Sequence, residues 1–596
     1  MRNKLKKYWR GIVVGILAIV FFIGTAGYNY FNHQDGFIKW ASPDETANYI
    51  ITKLYSQTGE MTIFEKYNLY AQDIIRPRSF RSDFGNLKPV SFLGIILIYG
   101  KIASMTSYKI LPFLTPFFAS LGIIFFYLLI KHFFNKRNAL MSCFLLAVFP
   151  PFIYYSIRSM FHNVLFISLL IAGFYFAALT ITDKRKRGWI YSAISGLLIG
   201  LAIITRSSEL LWLLPVLIII WLFNIKKFGI TKLIIFLCFL FSALLPAMYW
   251  NQILYNSPIN SGYPDMNQSI INIASAGNDL IKTAIIGNID NYKELFKKIK
   301  NNIFYFGFHP RQSLNMMRHY FMNMFYYLFW PAILGLFLFI QQIHKWKRKH
   351  WMYIIAYFIL FIILLFYYGS WELHDNPDIN SFTIGNSYTR YWLPIYLCAL
   401  PFASLFIIRF TKALFNGNTE TAPPQFAAAN WGGAVSVFTK YFKWPEKIFF
   451  INCARVLIVG IIYFISLTYV LYGSEEGLVY AGLNHEQSKN EADKILNLTE
   501  RNSVIITRYH DKLLFPERMV IVGLFNDINM NLIYSKLTNY LPVYYYNFSL
   551  PAKDMKYLNN KRLKEVNLQI YKVQQITNDF TLYRLVRFRH HHIKKP

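Results

Sequence analysis

Long apolar runs separated by short polar segments dominate residues 1–472. Four of these runs are 11–31, 111–130, 139–155 and 210–223. The longer runs reach the roughly 20 residues that a helix needs to cross the hydrocarbon core of a bilayer. They lack strict alternation, and unpaired peptide groups are costly in lipid, so the runs favour helices over the strands of a barrel. The pattern predicts an α-helical polytopic membrane protein with about eleven transmembrane helices.

One apolar segment, residues 89–105, does not fit a full crossing. It is short, contains Gly94 and Gly100, and carries Lys101. If it crossed the membrane, every later basic loop would face the wrong side. We therefore predict that this segment is interfacial or re-entrant.

The C-terminal part of the chain, residues 473–596, has an ordinary density of charged residues. Short β-branched and aromatic runs at 503–507, 519–522 and 580–586 are typical of strands. We predict a small α/β domain there, distinct from a membrane domain over residues 1–472 that includes a long outer loop at 32–109.

Charge supports this division and gives the membrane topology. Only 15% of the residues are charged, whereas soluble chains have about a quarter. The net charge of +32 resides in short loops beside the apolar runs, which argues against nucleic acid as a partner and indicates contact with membrane lipids. Placing the basic clusters in the cytoplasm puts the N-terminus on the cytoplasmic side of the cell membrane and the C-terminal domain on the outer side. These clusters lie at 2–10, 131–137, 184–187, 226–232, 345–349 and 409–447.

The outer loop begins with a helix-start pattern. Ser42 precedes Pro43, and Glu45 follows three residues after Ser42, which is the spacing of a capping box. The acidic pair Asp44 and Glu45 could simply favour the positive end of the helix dipole. A helix start also fixes a carboxylate rigidly at the membrane surface, so both interpretations hold together.

Further along the same loop, Lys88 precedes Pro89. A lysine at this depth can extend its amine towards lipid phosphate. It can equally hold the phosphate of a bound ligand.

The order of these features resembles the polyprenyl-phosphate-dependent membrane glycosyltransferases of the GT-C class, in particular the protein O-mannosyltransferases and the aminoarabinose transferases. Three later segments agree with that class. They are residues 196–206, similar to a "GLLxGLAxLTR" span, residues 251–263, similar to an "NxxxxGSPxxxGY" loop, and residues 388–394, similar to an "RYxLP" helix start.

The resemblance implies roles for the loop residues. Asp44 corresponds to the catalytic base, Glu45 beside it is also predicted to be catalytic, and Lys88 corresponds to the lysine that binds the donor phosphate. The chain has Lys88, Pro89 and Val90 where the class more often has a Pro-Pro pair, so Lys88 is the weaker correspondence. The next outer loop, 156–163, lacks the second carboxylate that related enzymes often have.

The chemistry implied by the resemblance needs cations for a departing phosphate and groups that position the substrates. Arg206 either serves as such a cation or forms an ion pair with Glu209. His162 either contacts substrate or is an interfacial histidine bonded to the backbone. The predicted phosphate-binding residues are Lys88, Arg206 and Arg390. The predicted substrate-binding residues are Tyr263, His162, Asn163, His309, Arg311 and Tyr391.

We therefore predict a membrane glycosyltransferase that moves a sugar from a polyprenyl-phosphate donor to an acceptor hydroxyl of a protein, lipid or glycan on the outer face. A single base predicts direct displacement with inversion. The sequence has no D-x-D pair and no His/Glu cluster at ligand spacing, so we predict no obligatory metal or cofactor beyond the lipid-linked donor. The alternatives are a flippase or other transporter of lipid-linked sugars, a ligase or polymerase of lipid-linked oligosaccharides, and a non-catalytic membrane scaffold.

Overall fold

The computed structural model describes residues 2–34, 36–182, 187–269, 271–272, 275, 297–298, 300–373, 375, 381–416, 444–473 and 475–588. Its α-helices are α1 (Arg2–Asn32), α2 (Pro43–Thr58), α3 (Asn68–Ala71), α4 (Gly94–Ser104), α5 (Leu111–Phe133), α6 (Lys136–Ala147), α7 (Pro150–Ile157), α8 (His162–Thr182), α9 (Gly188–Thr205), α10 (Leu210–Leu222), α11 (Ile225–Tyr255), α12 (Pro310–Met317), α13 (Tyr326–Ile340), α14 (Arg348–Gly369), α15 (Ser387–Tyr391), α16 (Leu393–Asn416), α17 (Trp444–Tyr472), α18 (Leu478–Leu498), α19 (Asp511–Leu514), α20 (Ile528–Leu537) and α21 (Ala552–Tyr557). Its strands are β1 (Ile63–Phe64), β2 (Phe80–Asp83), β3 (Asn86–Pro89), β4 (Val504–Thr507), β5 (Met519–Val522), β6 (Val543–Phe548), β7 (Leu568–Gln575) and β8 (Phe580–Arg587).

The predicted fold class, a helical polytopic membrane protein with a small C-terminal sheet domain, is confirmed. In the described part of the chain, eight helices are long and apolar enough to cross a membrane, and two bent pairs raise the number to ten if each pair is one span. The bent pairs are α6 with α7 and the 310–323 segment with α13. Of the roughly eleven predicted spans, the one that is not among these ten coincides with α10, a shorter apolar helix of 13 residues.

The predicted interfacial segment forms α4, which has 11 residues and is too short to count as a span. It packs against α2 and against the end of α9. This packing holds the outer loop down on the helix bundle.

Several helix ends meet at one end of the bundle, where α9 and α11 end and α8 and α16 begin. The parallel course of α9 and α11 is set by close backbone contact, because a Cβ at Gly196 would collide with the carbonyl oxygen of Phe236. At the opposite end, Lys349 donates to the His132 carbonyl and so joins the start of α14 to the end of α5. The candidate active site lies at the end of the bundle where α9 and α11 end and α8 and α16 begin.

The outer loop folds into α2, a three-stranded antiparallel sheet of order β1-β3-β2, and α4. Arg81 pairs with Lys88 across β2 and β3, and Ser82 pairs with Leu87. The side chain of Leu87 is buried beneath the sheet. The loop is thus a structured cap over the helix ends.

The C-terminal domain contains a five-stranded sheet of order β5-β4-β6-β8-β7. The strands β5, β4 and β6 are parallel, and β8 and β7 add to them antiparallel. Three of the five strands were predicted from the sequence. Ile75 of the outer loop is buried with Ile506 and Ile521 of this domain, so the cap and the C-terminal domain share one hydrophobic core.

Candidate active site

The start of α2 fixes the position of Asp44. Ser42 is the N-cap residue, its hydroxyl accepts a hydrogen bond from the Asp44 amide, and its own amide donates to Glu45. The predicted capping box is therefore present, with Pro43 at the start of the helix. Asp44 is half-buried, so its carboxylate is held rigidly yet stays accessible.

Ser79 is the direct partner of the Asp44 carboxylate. Its hydroxyl donates to Asp44 Oδ1. The backbone of Ser79 has a φ of 62°, a left-handed conformation that costs free energy in a residue other than glycine. Ser79 also accepts a hydrogen bond from the Val90 amide at the end of β3. Ser79 was not predicted from the sequence, because nothing local marks a serine as a partner for a carboxylate 35 residues away.

Glu45 has a different environment from its neighbour. It is fully buried and forms an ion pair with Arg158, whose Nη2 and Nε lie 2.5 and 3.1 Å from Glu45 Oε2. Arg158 also lies over the ring of Phe161, 4.8 Å from its centroid. The charge of Glu45 is thus already paired, and the residue anchors α2 to the loop between α7 and α8.

Arg390 and Arg206 both contact the ring of Tyr391. Their Cζ atoms lie 5.1 and 4.7 Å from its centroid. Arg390 also lies 4.2 Å above the ring of Phe161 and donates to the Ser387 hydroxyl at 2.6 Å. Arg206 and the adjacent pair Arg390 and Tyr391, all predicted from the motifs, therefore come together from two distant parts of the sequence.

Arg390 remains available for an anion. Within the described ranges it forms no ion pair with a carboxylate, and its buried Nε has no hydrogen-bond partner there. Burial opposes its charge, but the neighbouring Tyr391, the phenol of Tyr155 and the carboxylates of Asp375 and Asp44 raise the pKa of Arg390 overall. Arg390 is therefore a permanent cation close enough to Asp44 to feel its charge.

Arg206 forms an ion pair with Glu209, which the sequence suggested as the alternative to a phosphate-binding role. Its Nη2 lies 2.8 Å from Glu209 Oε1, and the two side chains are 7% and 3% exposed. Tyr368 donates to the same carboxylate at 2.7 Å and accepts from Arg206 at 2.9 Å. Arg206 is thus held in a buried network with its guanidinium against Tyr391.

Tyr263 lies on the loop that follows α11. A Cβ at the preceding Gly262 would be 2.5 Å from the Ser91 amide nitrogen, so only glycine lets this loop approach the end of β3. The ring of Tyr263 lies 5.0 Å from that of Phe92. Burial and the charge of Asp44 raise the pKa of Tyr263 well above its ordinary value, so it remains a hydrogen-bond donor.

Lys88 lies two residues along β3 from Val90, the residue paired with Ser79, which corresponds to roughly 7 Å of strand. Its Nζ is 3.1 Å from Asp83 Oδ2. Arg81 shares that carboxylate at 2.9 Å. Lys88 and Arg81 together carry two positive charges against the single negative charge of Asp83. A surplus positive charge therefore lies on the strands next to Ser79, the partner of Asp44.

His162 and Asn163 are buried at the start of α8. The His162 Nε2 lies 3.2 Å from the Phe92 carbonyl oxygen and 3.0 Å from the Ser91 hydroxyl. These contacts agree with the alternative that His162 is an interfacial histidine bonded to the backbone. Asn163 donates to the Arg390 carbonyl at 3.1 Å. Both residues therefore position the site, and Asn163 acts directly on the segment that carries Arg390.

His309 and Arg311 are exposed at the start of α12. The His309 amide donates to the Ser370 hydroxyl at 3.0 Å, which ties this start to the end of α14. Within the described residues, neither side chain forms a hydrogen bond or an ion pair with Asp44 or Arg390, so their substrate contacts stay a prediction. Across the described residues, no group of three or more histidines, cysteines or carboxylates is arranged to hold a metal ion.

The C-terminal domain reaches the outer loop beside Asp44. Lys512 donates to the Ala41 carbonyl, and Asp511 accepts from the Arg78 amide at 2.7 Å and from its guanidinium at 2.6 and 3.0 Å. Burial lowers the pKa of Lys512 to about 8, and the adjacent Arg78 adds to this effect. These contacts flank both the start of α2 and Ser79, and no pattern in the sequence indicates them.

Part of the sequence matches a known protein family. Residues 95–250, about a quarter of the chain, match the family described as dolichyl-phosphate-mannose-protein mannosyltransferase. The match covers α4 to most of α11 and includes Arg206. No curated protein matches the sequence significantly.

Two solved structures show the level of structural similarity. The ArnT protein of Cupriavidus metallidurans bound to undecaprenyl phosphate is 12% identical, with 95% of this chain and 97% of that chain aligned and a TM-score of 0.50. The oligosaccharyltransferase AglB of Archaeoglobus fulgidus, in complex with an inhibitory peptide and a dolichol-phosphate, is 14% identical over 94% of this chain and 70% of that chain, with a TM-score of 0.47. The resemblance to GT-C membrane glycosyltransferases is thereby confirmed, and the chain has the GT-C fold.

Proposed function

We propose that this GT-C-fold membrane protein transfers a sugar from a polyprenyl-phosphate donor to an acceptor hydroxyl, with inversion at the anomeric carbon. One observation carries the proposal. A rigidly held carboxylate, Asp44, lies within electrostatic range of Arg390, a cation that forms no ion pair in the part of the chain that the structure describes.

The reaction needs a base and a stabilised leaving group. The acceptor hydroxyl gives its proton to the Asp44 carboxylate while its oxygen forms a bond to the anomeric carbon. The bond from that carbon to the phosphate oxygen breaks, and its electron pair leaves with the phosphate. Arg390 neutralises the charge that develops there, and Lys88 adds positive potential from β3. Because a single base acts on the face opposite the leaving group, the configuration inverts.

The arrangement of the other groups supports the same chemistry. Glu45 is occupied by Arg158, so only one carboxylate of the acidic pair is available as a base. The buried network around Arg206 holds the ring of Tyr391 beside Arg390. Tyr263 stays protonated and can donate to a sugar hydroxyl or a phosphate oxygen.

The comparisons support the donor class. The matched family acts with dolichyl-phosphate-mannose, and the ArnT structure contains undecaprenyl phosphate. We propose that the site faces the outside of the cell, because the basic clusters at 131–137, 226–232 and 345–349 lie at the opposite end of the bundle. The sugar and the acceptor stay open between a protein, a lipid and a glycan.

The first test is sugar release by the purified protein from a panel of radiolabelled polyprenyl-phosphate sugars, supplied with candidate acceptors. We expect turnover by the wild type and a loss of roughly 10³-fold in Asp44→Asn with donor binding retained. Glu60→Gln, an exposed acidic change just beyond the same helix, is the control and should behave as the wild type. Donor binding without turnover in every protein would favour the transporter alternative, and no binding of any donor would contradict the donor class.

A further inference from the structure

A lateral groove runs between α1, α6 and α17. It consists of two cavities of about 600 and 580 Å³ that share Met141, Phe144, Arg455 and Val456 in their walls, so they are continuous. The first cavity extends to Tyr28 and Leu478 and the second to Trp9 and Arg10. We refer to the pair as the α1–α17 groove.

The first cavity of the groove is almost entirely apolar. Its walls include Leu17 and Phe21 of α1 and Val459, Tyr463 and Leu467 of α17. A surface of this kind between two membrane-spanning helices matches hydrocarbon chains.

Among the described residues, the second cavity is lined by four cations from four different helices and by no acidic residue. They are Arg10 of α1, Arg137 of α6, Lys412 of α16 and Arg455 of α17. None of the four forms an ion pair with a carboxylate of the described residues. The groove therefore combines an apolar channel with a concentrated positive charge at one end.

Arg455 makes this charge costly. It lies eight residues inside the candidate span Lys447–Tyr472, which corresponds to roughly 12 Å of helix. Its guanidinium donates to the Thr411 hydroxyl at 3.0 Å and the Ile408 carbonyl at 3.3 Å, and it feels the like charge of Arg137. A charged residue this far inside a span indicates a functional site by default, because its burial needs compensation.

Arg10 points to the same conclusion. Its Nε is buried and lacks a hydrogen-bond partner among the residues that the structure describes. A guanidinium with an unpaired N–H readily binds an anion, because its planar N–H donors match the oxygens of a phosphate.

We propose that the α1–α17 groove is a binding site for an anionic glycerophospholipid of the phosphatidylglycerol type. The phosphate lies among the four cations, and the acyl chains occupy the apolar cavity along α1 and α17. A glycerophospholipid fits better than a polyprenyl phosphate, because these cations lie at the end of the bundle that carries the N-terminus, opposite the end where Asp44 and Arg390 lie. The site is independent of the proposed sugar transfer.

The test measures lipid binding to the purified full chain by native mass spectrometry, with dioleoylphosphatidylglycerol and dioleoylphosphatidylcholine as probes. The test variant combines Arg10→Gln, Arg137→Gln and Arg455→Gln. The control variant removes three exposed cations from the same end of the bundle, Lys345→Gln, Lys347→Gln and Arg348→Gln. We expect the wild type and the control to prefer the glycerol lipid, and the test variant to bind it about a hundredfold more weakly with the choline lipid unchanged.

Equal affinity of the wild type for both lipids would overturn the proposal. An equal loss in both variants would also overturn it, because the attraction would then be a diffuse effect of charge. Undecaprenyl phosphate is a third probe, and its binding at the groove in place of the glycerol lipid would contradict the assigned occupant.

A measurement on the wild type keeps the test decisive if the triple variant does not fold. Phosphatidylglycerol with a photoreactive group at the end of one acyl chain is crosslinked in vesicles, and the modified peptides are mapped. We expect crosslinks concentrated in residues 14–28 and 455–471. Crosslinks spread equally over the lipid-facing surface of α11 would overturn the proposal.

Discussion

At the scale of single residues, neighbours in the sequence have separate tasks. Asp44 and Glu45 are adjacent, yet Asp44 is half-buried and bonded to a hydroxyl, whereas Glu45 is fully buried against Arg158. A helix turns each successive side chain by about 100°, so two adjacent carboxylates face different surroundings. The proposed base and the residue that anchors α2 are therefore neighbours in the sequence.

Arg390→Gln tests the cation. We expect donor affinity to fall and turnover to drop by roughly 10²-fold, because a fixed positive charge on the departing phosphate is lost. Initial rates and donor binding by the purified protein measure both effects. Lys109→Gln, which removes an exposed cation of the outer loop 32–109, should leave both unchanged. Unaltered donor binding in Arg390→Gln would exclude Arg390 from the phosphate site.

Glu45→Gln tests the anchor. We expect the free energy of unfolding to fall by about 3 kcal/mol, because Arg158 would keep its buried charge without a partner. Thermal unfolding in detergent measures this loss. The double variant Glu45→Gln, Arg158→Gln should recover part of it, while Asp44→Asn should unfold close to the wild-type temperature. A stable but inactive Glu45→Gln would instead indicate that Glu45 takes part in the chemistry.

At the scale of elements, the site depends on how the outer loop and the C-terminal domain are joined. Ser79, which holds Asp44, follows Arg78, and Arg78 is fixed by Asp511 at the start of α19. Asp511 is fully buried, so its hydrogen bonds are shielded from water. The C-terminal domain thus supports the position of the base from outside the membrane domain.

Asp511→Asn tests this connection. We expect faster amide hydrogen exchange in residues 76–80 and an activity about tenfold lower, since a weakened Arg78 contact releases Ser79. Exchange detected by mass spectrometry and sugar-transfer rates measure the two effects. Asp493→Asn, an exposed change on α18 in the same domain, is the matched control. Protection of residues 76–80 equal to that of the wild type would contradict the supporting role.

At the scale of the whole molecule, helix ends and basic residues divide the protein into two sides. The site and the C-terminal domain lie on one side, and the four cations of the α1–α17 groove lie on the other. Basic residues concentrate on the cytoplasmic side of membrane proteins, so we propose that the groove faces the cytoplasm and the site faces the outside. A donor with its sugar phosphate on the outer surface fits this arrangement.

Labelling of single cysteines tests the orientation. In a background without native cysteines, we expect Lys572→Cys to react with a membrane-impermeant maleimide in intact cells and Lys345→Cys to react only after permeabilisation. Both positions are exposed. The native cysteines to be replaced by alanine are Cys143, Cys238, Cys398 and Cys453. The reverse labelling pattern would place the site in the cytoplasm and contradict an extracellular acceptor.

The sequence by itself determined the features that depend on local pattern. Apolar runs of bilayer length gave the spans, because hydrocarbon forces every peptide group into a helix. The capping box gave the start of α2, because its hydrogen bonds join residues three apart. Strands β4, β5 and β8 were predicted, but the aromatic run of β6 and the edge strand β7 were not. The exposed polar side chains of β7 weaken its pattern.

Only the tertiary structure decided which of these residues meet. Asp44 and Ser79 are 35 residues apart, Glu45 and Arg158 are 113 apart, and Arg78 and Asp511 are 433 apart. No periodicity in a sequence records such pairs, because they arise when separate hydrophobic faces pack together. The same packing placed both Arg206 and Arg390 against Tyr391. Among the described residues, Arg206 also pairs with Glu209, whereas Arg390 has no carboxylate partner, so we propose Arg390 as the arginine that binds a phosphate.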